Sequence, residues 1–189
     1  MALEQEKIVA NTKKYFETAT KLGFMNDELM TFLGEEFIKA PASTMESLHN
    51  AFSGGLIDHL LRVAQYAVKF NNALPEDEKV DQTSLLKVCL LHQIGKANLY
   101  KECDSEWHRK NQGKMYEFKE NLVSMRVSER SVYYALSHGV KLTQEEFSAI
   151  IMFDKVDDKM AEFHNSILGE LLKMGNTFAI KHEKTKSGK

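Results

Sequence analysis

Proline is nearly missing from this chain: Pro41 and Pro75 are the only two in 189 residues. Because proline breaks helices, the long proline-free stretches rich in Leu, Lys, Glu and Ala predict an all-helical protein. Cysteine is equally scarce, with only Cys89 and Cys103. That excludes a disulfide scaffold, and Cys89 sits inside the apolar run Leu85-Leu86-Lys87-Val88-Cys89-Leu90-Leu91. It reads as a buried free thiol in a reducing compartment. No apolar run approaches the ~20 residues of a membrane helix. Charge of one sign is not in excess either, with 25 Lys+Arg against 27 Asp+Glu and a net charge of -2. A dedicated nucleic-acid binder carries a basic surplus, so no strong nucleic-acid signature is present, although local patches stay open. There is no glycine-rich phosphate loop and no Ser or Cys in a nucleophile elbow. Glu4, Glu6 and Lys7 interrupt the apolar core that a signal peptide would need. These absences predict a cytoplasmic protein, or one carried in a virus particle made in the cytoplasm.

What is there is helical periodicity. Apolar positions from Leu3 to Leu22 recur at amphipathic spacing, and Gly23 ends that segment. A second helix is predicted from Asp27 to Lys39, with Asn26 as N-cap and Ala40-Pro41 as its stop. A short helix is predicted around Thr44 to Phe52. Leu56 to about Asn72 is apolar on more than a stripe, which marks a central helix. Another central helix runs from Gln82 to about Ile94, ended by Gly95. Around 105–119 the residues Trp107, Met115, Tyr116 and Phe118 flank Asn111-Gln112-Gly113, which predicts a small β-hairpin or an irregular excursion. The aromatic trio Trp107, Tyr116 and Phe118 reads as a satellite core. Helices resume at Ser128 to Ser137, at Thr143 to Phe153 with a Thr143/Glu146 capping box, and from about Asp158 to Lys181. Residues 182–189 read as a frayed polar tail. The chain is thus one domain, an N-terminal helical extension (1–40) packed on a core (41–181).

Seven histidines occur. His49, His108, His164 and His182 read as surface or satisfied core residues. His59 and His92 differ, because each lies on a central helix beside glycine, where a polar side chain can face an internal pocket.

Gly54-Gly55-Leu56-Ile57-Asp58-His59-Leu60-Leu61-Arg62-Val63-Ala64, with Leu90-Leu91-His92-Gln93-Ile94-Gly95-Lys96, resembles the core signature of HD-domain phosphohydrolases. Glu129-Arg130-Ser131-Val132 and Leu142 to Ile150 are similar to a branch common in phage and prophage genomes. The resemblance spans about Leu48 to Ala179. It implies an all-helical bundle with a metal site built from a first His, a His-Asp pair and a later Asp, acting on nucleotides, cyclic dinucleotides or nucleic acids.

The departures alter that implication. His59 and His92 stand at ligand positions, but the Asp of the pair is Gln93. The expected further ligands fall on Val127, Phe153 and Asn176, with His138 or Asp154 as displaced alternatives if the alignment shifts. Gln93 offers one neutral carbonyl and an NH2 group that suits a cation poorly. Without carboxylates, two imidazoles make an incomplete metal site.

The expectation is therefore a degenerate HD-fold protein without catalysis. It would act as a nucleotide- or phosphate-binding module, or as an assembly module contacting a protein partner through its N-terminal helices. His59, His92 and Gln93 should share one pocket, with Arg62 and Lys96 at its rim as phosphate-binding candidates or simply solvated charges. No cofactor is expected. The alternative is a metal-dependent phosphohydrolase with an atypical single-metal site at His59 and His92, using Mn, Fe, Ni, Zn or Mg.

Overall fold

Burial of one face organises most of the helices, and side-chain caps set where several of them begin. In the computed structural model, which describes residues 5–155 and 165–187, α1 (Gln5–Lys21) buries Tyr15 and Ala19. The Tyr15 hydroxyl reaches across to donate to the Leu90 carbonyl at 2.9 Å, so even this apolar anchor leaves no polar atom unmet. Asn26 caps α2 (Asp27–Lys39): its Oδ1 accepts from Leu29 N at 2.8 Å, while its Nδ2 donates to the His138 carbonyl at 2.7 Å. One side chain thus starts a helix and ties it to a residue far along the chain.

The predicted helix over 44–52 does not form. That segment is a turn, held by an isolated bridge between Met45 and Lys114 and by Asn50 with a φ of 46°. The turn runs close beneath the start of α3 (Gly55–Ala73). The Asn50 carbonyl would lie 2.2 Å from a Cβ at position 55, so only glycine lets the two press together. Nine of the first thirteen residues of α3 are buried, among them Asp58 and His59. It is the central helix and packs most extensively on α8 (Ile167–Ser187).

Asp81 caps α4 (Gln82–Leu91), accepting from Ser84 N at 2.7 Å. The expected continuation to Ile94 is replaced by a break at His92 and a 3₁₀ turn at Ile94–Lys96. A Cβ at position 95 would lie 2.5 Å from the Val127 carbonyl, so Gly95 is what lets this turn seat against α6 (Val127–Ser137). The hairpin expected near 105–119 becomes a wider excursion. β1 (Tyr100–Glu102) pairs antiparallel with β2 (Tyr116–Phe118), in register Lys101 opposite Glu117, and α5 (Glu106–Gln112) fills the connection. Ser105 caps that helix and Gly113 closes it, a helical solution that the Gly113 turn signal had masked. Trp107 and Phe118 are exposed rather than a satellite core.

The capping box at α7 (Gln144–Ile151) is as expected: Thr143 Oγ1 accepts from Glu146 N, and Glu146 accepts from Thr143 N at 2.9 Å. The expected start of the last helix near Asp158, and His164, lie outside the described residues. Its end is a correction. The helix runs on to Ser187 where a frayed tail was expected, because Glu183 is drawn into the interior. The helices other than α5 share one apolar core in which residues such as Leu29, Leu56, Leu60, Leu85 and Ile150 are fully buried. Each such side chain contributes about 1.5–3 kcal/mol. Both cysteines are free and buried. No helix of the described residues is long and apolar enough to cross a membrane.

Candidate functional site

A polar cluster sits inside this apolar frame, where α3, the α4 break and the last turns of α8 meet. His59 is wholly buried. Its Nε2 lies 3.0 Å from Asn176 Oδ1 and its Nδ1 3.0 Å from Glu183 Oε2. Burial, with the Lys96 charge nearby, pushes the His59 pKa down to about 3, so the ring is neutral. Burial pushes Glu183 up to about 8, against the pull of Arg62. The arrangement that satisfies both groups is a neutral one. His59 Nε2–H donates to Asn176, and the Glu183 carboxylic acid donates to Nδ1. The contact at 3.0 Å is then a hydrogen bond between neutral groups and not an ion pair.

His92 ends α4 with its Nδ1 2.8 Å from the Cys89 carbonyl, which makes Nδ1 the donor and leaves Nε2 with its lone pair. That Nε2 is buried and has no hydrogen-bond partner. The Phe153 ring meets His92 edge-on at 4.5 Å between centroids, so the aromatic residue fills space beside it. Burial, with His59 beside it, holds His92 well below its ordinary value.

Gln93 and Lys96 form a second unit. The Lys96 ammonium donates to Gln93 Oε1 at 2.8 Å and to the Ala42 carbonyl. Lys96 is not at a rim, as the sequence suggested, but buried, and burial pushes its pKa down to about 8. The 3₁₀ turn curls the chain back so that a side chain three residues after Gln93 meets it. Arg62 is also drawn inward, between Asp58 (2.8 Å) and Glu183 (3.1 Å). Asp58 accepts from Asn50 and Asn11 as well. Burial pushes the Asp58 carboxyl up, but Arg62, Lys7 and Asn11 outweigh it and hold it below its ordinary range.

Two members escape a reading of the sequence alone. His49 lies in the turn before α3, its ring 4.7 Å from that of His59, with a buried and unpartnered Nε2. Burial, with His59 and the Lys96 ammonium nearby, pushes it down to about 2. Glu183 falls in the stretch expected to fray. A signal for it exists: Asn176 and Glu183 are seven residues apart, two helical turns, so they share a face. No comparable periodicity marks His49, which precedes the helix. The displaced-ligand alternatives are engaged elsewhere. His138 Nδ1 lies 2.7 Å from the Tyr134 carbonyl, and Asp154 accepts from Ser128 N and Oγ at the start of α6. Val127 opens that same helix.

His49, His59 and Glu183 bring ligand atoms within 4.8 Å of one another and could hold a metal ion. Two imidazoles and one carboxylate are a set that binds zinc in other proteins. A two-metal arrangement fits poorly, because Gln93 and Asn176 supply no negative charge and the Lys96 ammonium is already a cation inside the cluster. On the outer side of Lys96 lies a cleft of about 260 Å³, lined also by the lysines Lys39, Lys101 and Lys119, by the carboxylates Glu36 and Glu102, and by Ser53 and Tyr100. Three of its lysines are held by surface carboxylates: Lys39 by Glu35, Lys101 by Asp104 and Glu117, and Lys119 by Glu36. Comparison with known proteins finds no matching family model, no matching curated protein and no matching solved structure.

Proposed function

We propose that this chain is a non-hydrolytic, HD-like ligand-binding module that takes a phosphate-bearing small molecule, a nucleotide among the candidates, in the cleft beside Lys96. One observation carries the reading: the buried Lys96 ammonium rests on Gln93 Oε1 at 2.8 Å. The resemblance puts a metal-bridging carboxylate at position 93. Here an amide carbonyl stands there and faces an internal cation. A lysine then supplies the positive charge that a metal would bring, without a Lewis acid and without a bound water of lowered pKa. A divalent ion added beside it would meet like charge in a poorly screened interior. Lys96 also lines the cleft, where the neighbouring lysines can leave their carboxylates for a phosphate, since exposed pairs are worth only about 0–1 kcal/mol. Assembly through the N-terminal helices is compatible with this reading and adds no chemistry to it.

A second reading has its own support. The unpartnered Nε2 atoms of His49 and His92 are what an imidazole ligand presents, and they favour a single-metal phosphohydrolase. One experiment separates the two. Protein purified without chelator is analysed for metal, then screened against phosphomonoesters, nucleotides and oligonucleotides with Mn, Mg, Ni and Co. The expected result is sub-stoichiometric metal and no turnover above background, with nucleotide binding that weakens in Lys96→Met. Robust turnover that disappears in His92→Ala would overturn the proposal in favour of the enzyme.

A further inference from the structure

A second concavity lies away from the polar cluster, between α1, α3 and α4. It encloses about 410 Å³, within the range typical of small-molecule sites. Its floor is apolar: Leu61, Ala64 and Val68 from α3, with Leu86 and Leu90 from α4. Ala64 and Leu90 are buried at the bottom, whereas Leu61, Val68 and Leu86 are half-buried and keep one side open. The helix spacing explains the gap, because small Ala64 faces the groove where a larger residue would close it.

The rim carries charge of one sign. Lys14 from α1 and Lys69 from α3 line the groove, and no Asp or Glu does. Several other surface lysines meet carboxylates: Lys13, one residue from Lys14, pairs with Glu17, and Lys110 pairs with Glu106. Lys14 and Lys69 have no such pair among the described residues. The Lys69 ammonium instead lies over the Tyr66 ring, 5.4 Å from its centroid, a weak surface contact that it can leave for a ligand at the rim. An apolar trough with two cationic groups at its edge is complementary to a molecule with an aliphatic body and an anionic head.

We infer that this groove binds an amphipathic aliphatic carboxylate of the medium-chain fatty-acid type, its chain along Leu61, Val68 and Leu86 and its head between Lys14 and Lys69. The size of the site favours such a ligand over a protein partner. Ten residues line the groove, whereas a stable protein interface engages about 20–30 residues on each side. The inference is independent of the phosphate-binding reading and uses none of the same residues.

Sodium dodecanoate is the probe, titrated into the full chain by calorimetry below its micelle concentration. Saturable binding of one molecule per chain is expected. Reversing both rim charges, with Lys14→Glu and Lys69→Glu, should weaken it about fivefold or more, because each head-group pair is an exposed ion pair. Both lysines are solvent-exposed, so the double variant should keep the far-UV circular dichroism of the parent. Dodecanol, which has the same chain and no charge, should bind correspondingly more weakly and be indifferent to the reversal. Absence of saturation would overturn the inference and leave this face to a macromolecular partner. Equal binding of dodecanol and dodecanoate, or dodecanoate binding untouched by charge reversal, would overturn it as well.

Discussion

The polar cluster makes stability depend on pH in a specific way. His49, His59 and His92 are all held neutral in the folded chain, their pKa values pushed from 6.5 to about 2, to about 3 and well below 6.5 respectively. Below pH 6.5 each unfolded imidazole binds a proton that the folded one refuses. Stability is therefore lost as pH falls. Glu183 acts with the opposite sign: raised from 4.5 to about 8, it keeps a proton in the folded chain that the unfolded chain releases, so its contribution is lost as pH rises through that window. Between pH 6.5 and 4.5 the two effects compete, three imidazoles against one carboxyl. The net difference approaches two protons, or ~3 kcal/mol per pH unit. Over that window the loss reaches ~5 kcal/mol, comparable with the whole stability of a small domain. The assay is urea unfolding followed by circular dichroism at steps between pH 8 and pH 4.5. Stability should be greatest around pH 7, change little up to pH 8, where the lowered Lys96 offsets the raised Glu183, and collapse on the acid side. Glu183→Gln should make stability keep climbing from pH 6.5 to pH 8 and leave the acid collapse in place. A stability that changes by less than ~1 kcal/mol between pH 6.5 and 4.5 would refute the neutral-histidine reading.

The remaining expectations concern packing and reactivity. Gly95→Ala places a Cβ 2.5 Å from the Val127 carbonyl and 2.8 Å from Ser131 N, backbone atoms that cannot swing aside. It should cost about 2–3 kcal/mol by urea unfolding, and a loss below ~0.5 kcal/mol would show that α6 moves freely against the 3₁₀ turn. Cys89 and Cys103 are both buried, and burial pushes the Cys89 thiol far up. Ellman's reagent should therefore find no reactive thiol in native protein and both in urea, and rapid native labelling would contradict the packing.

How much of this is legible in the chain depends on periodicity. The α2 cap at Asn26 and the α7 capping box are readable because a side-chain oxygen at a fixed offset meets a known backbone donor. The juxtaposition of His59 with Asn176 is not readable from any local rule, since the two are 117 residues apart. His49 is invisible because its position is set by a turn whose shape depends on contacts with Lys114 and Gly55, distant in sequence or special in backbone. Glu183 is missed for a compositional reason. Its neighbours Lys181, His182 and Lys184 are polar, and a polar terminal stretch reads as frayed unless a buried partner is known to claim one residue of it. Lys96 shows the converse. A lysine is normally solvated, and only the 3₁₀ turn that returns it to Gln93 makes it an interior residue.

Glu183 also carries a consequence for how the chain is made. It bonds His59 across 124 residues and Arg62 across 121. A chain growing from its N-terminus holds His59 and Arg62 long before their partner exists. Until residue 183 emerges, α3 presents an unsatisfied imidazole and a half-paired guanidinium to any collapsed intermediate, along with the apolar surface that α8 will cover. The nascent chain therefore cannot close its core while these helices are being synthesised. Its slowest and most aggregation-exposed interval lasts until α8 has left the ribosome. The last turns of α8 are the latch that completes the polar cluster after the helices it joins have been made.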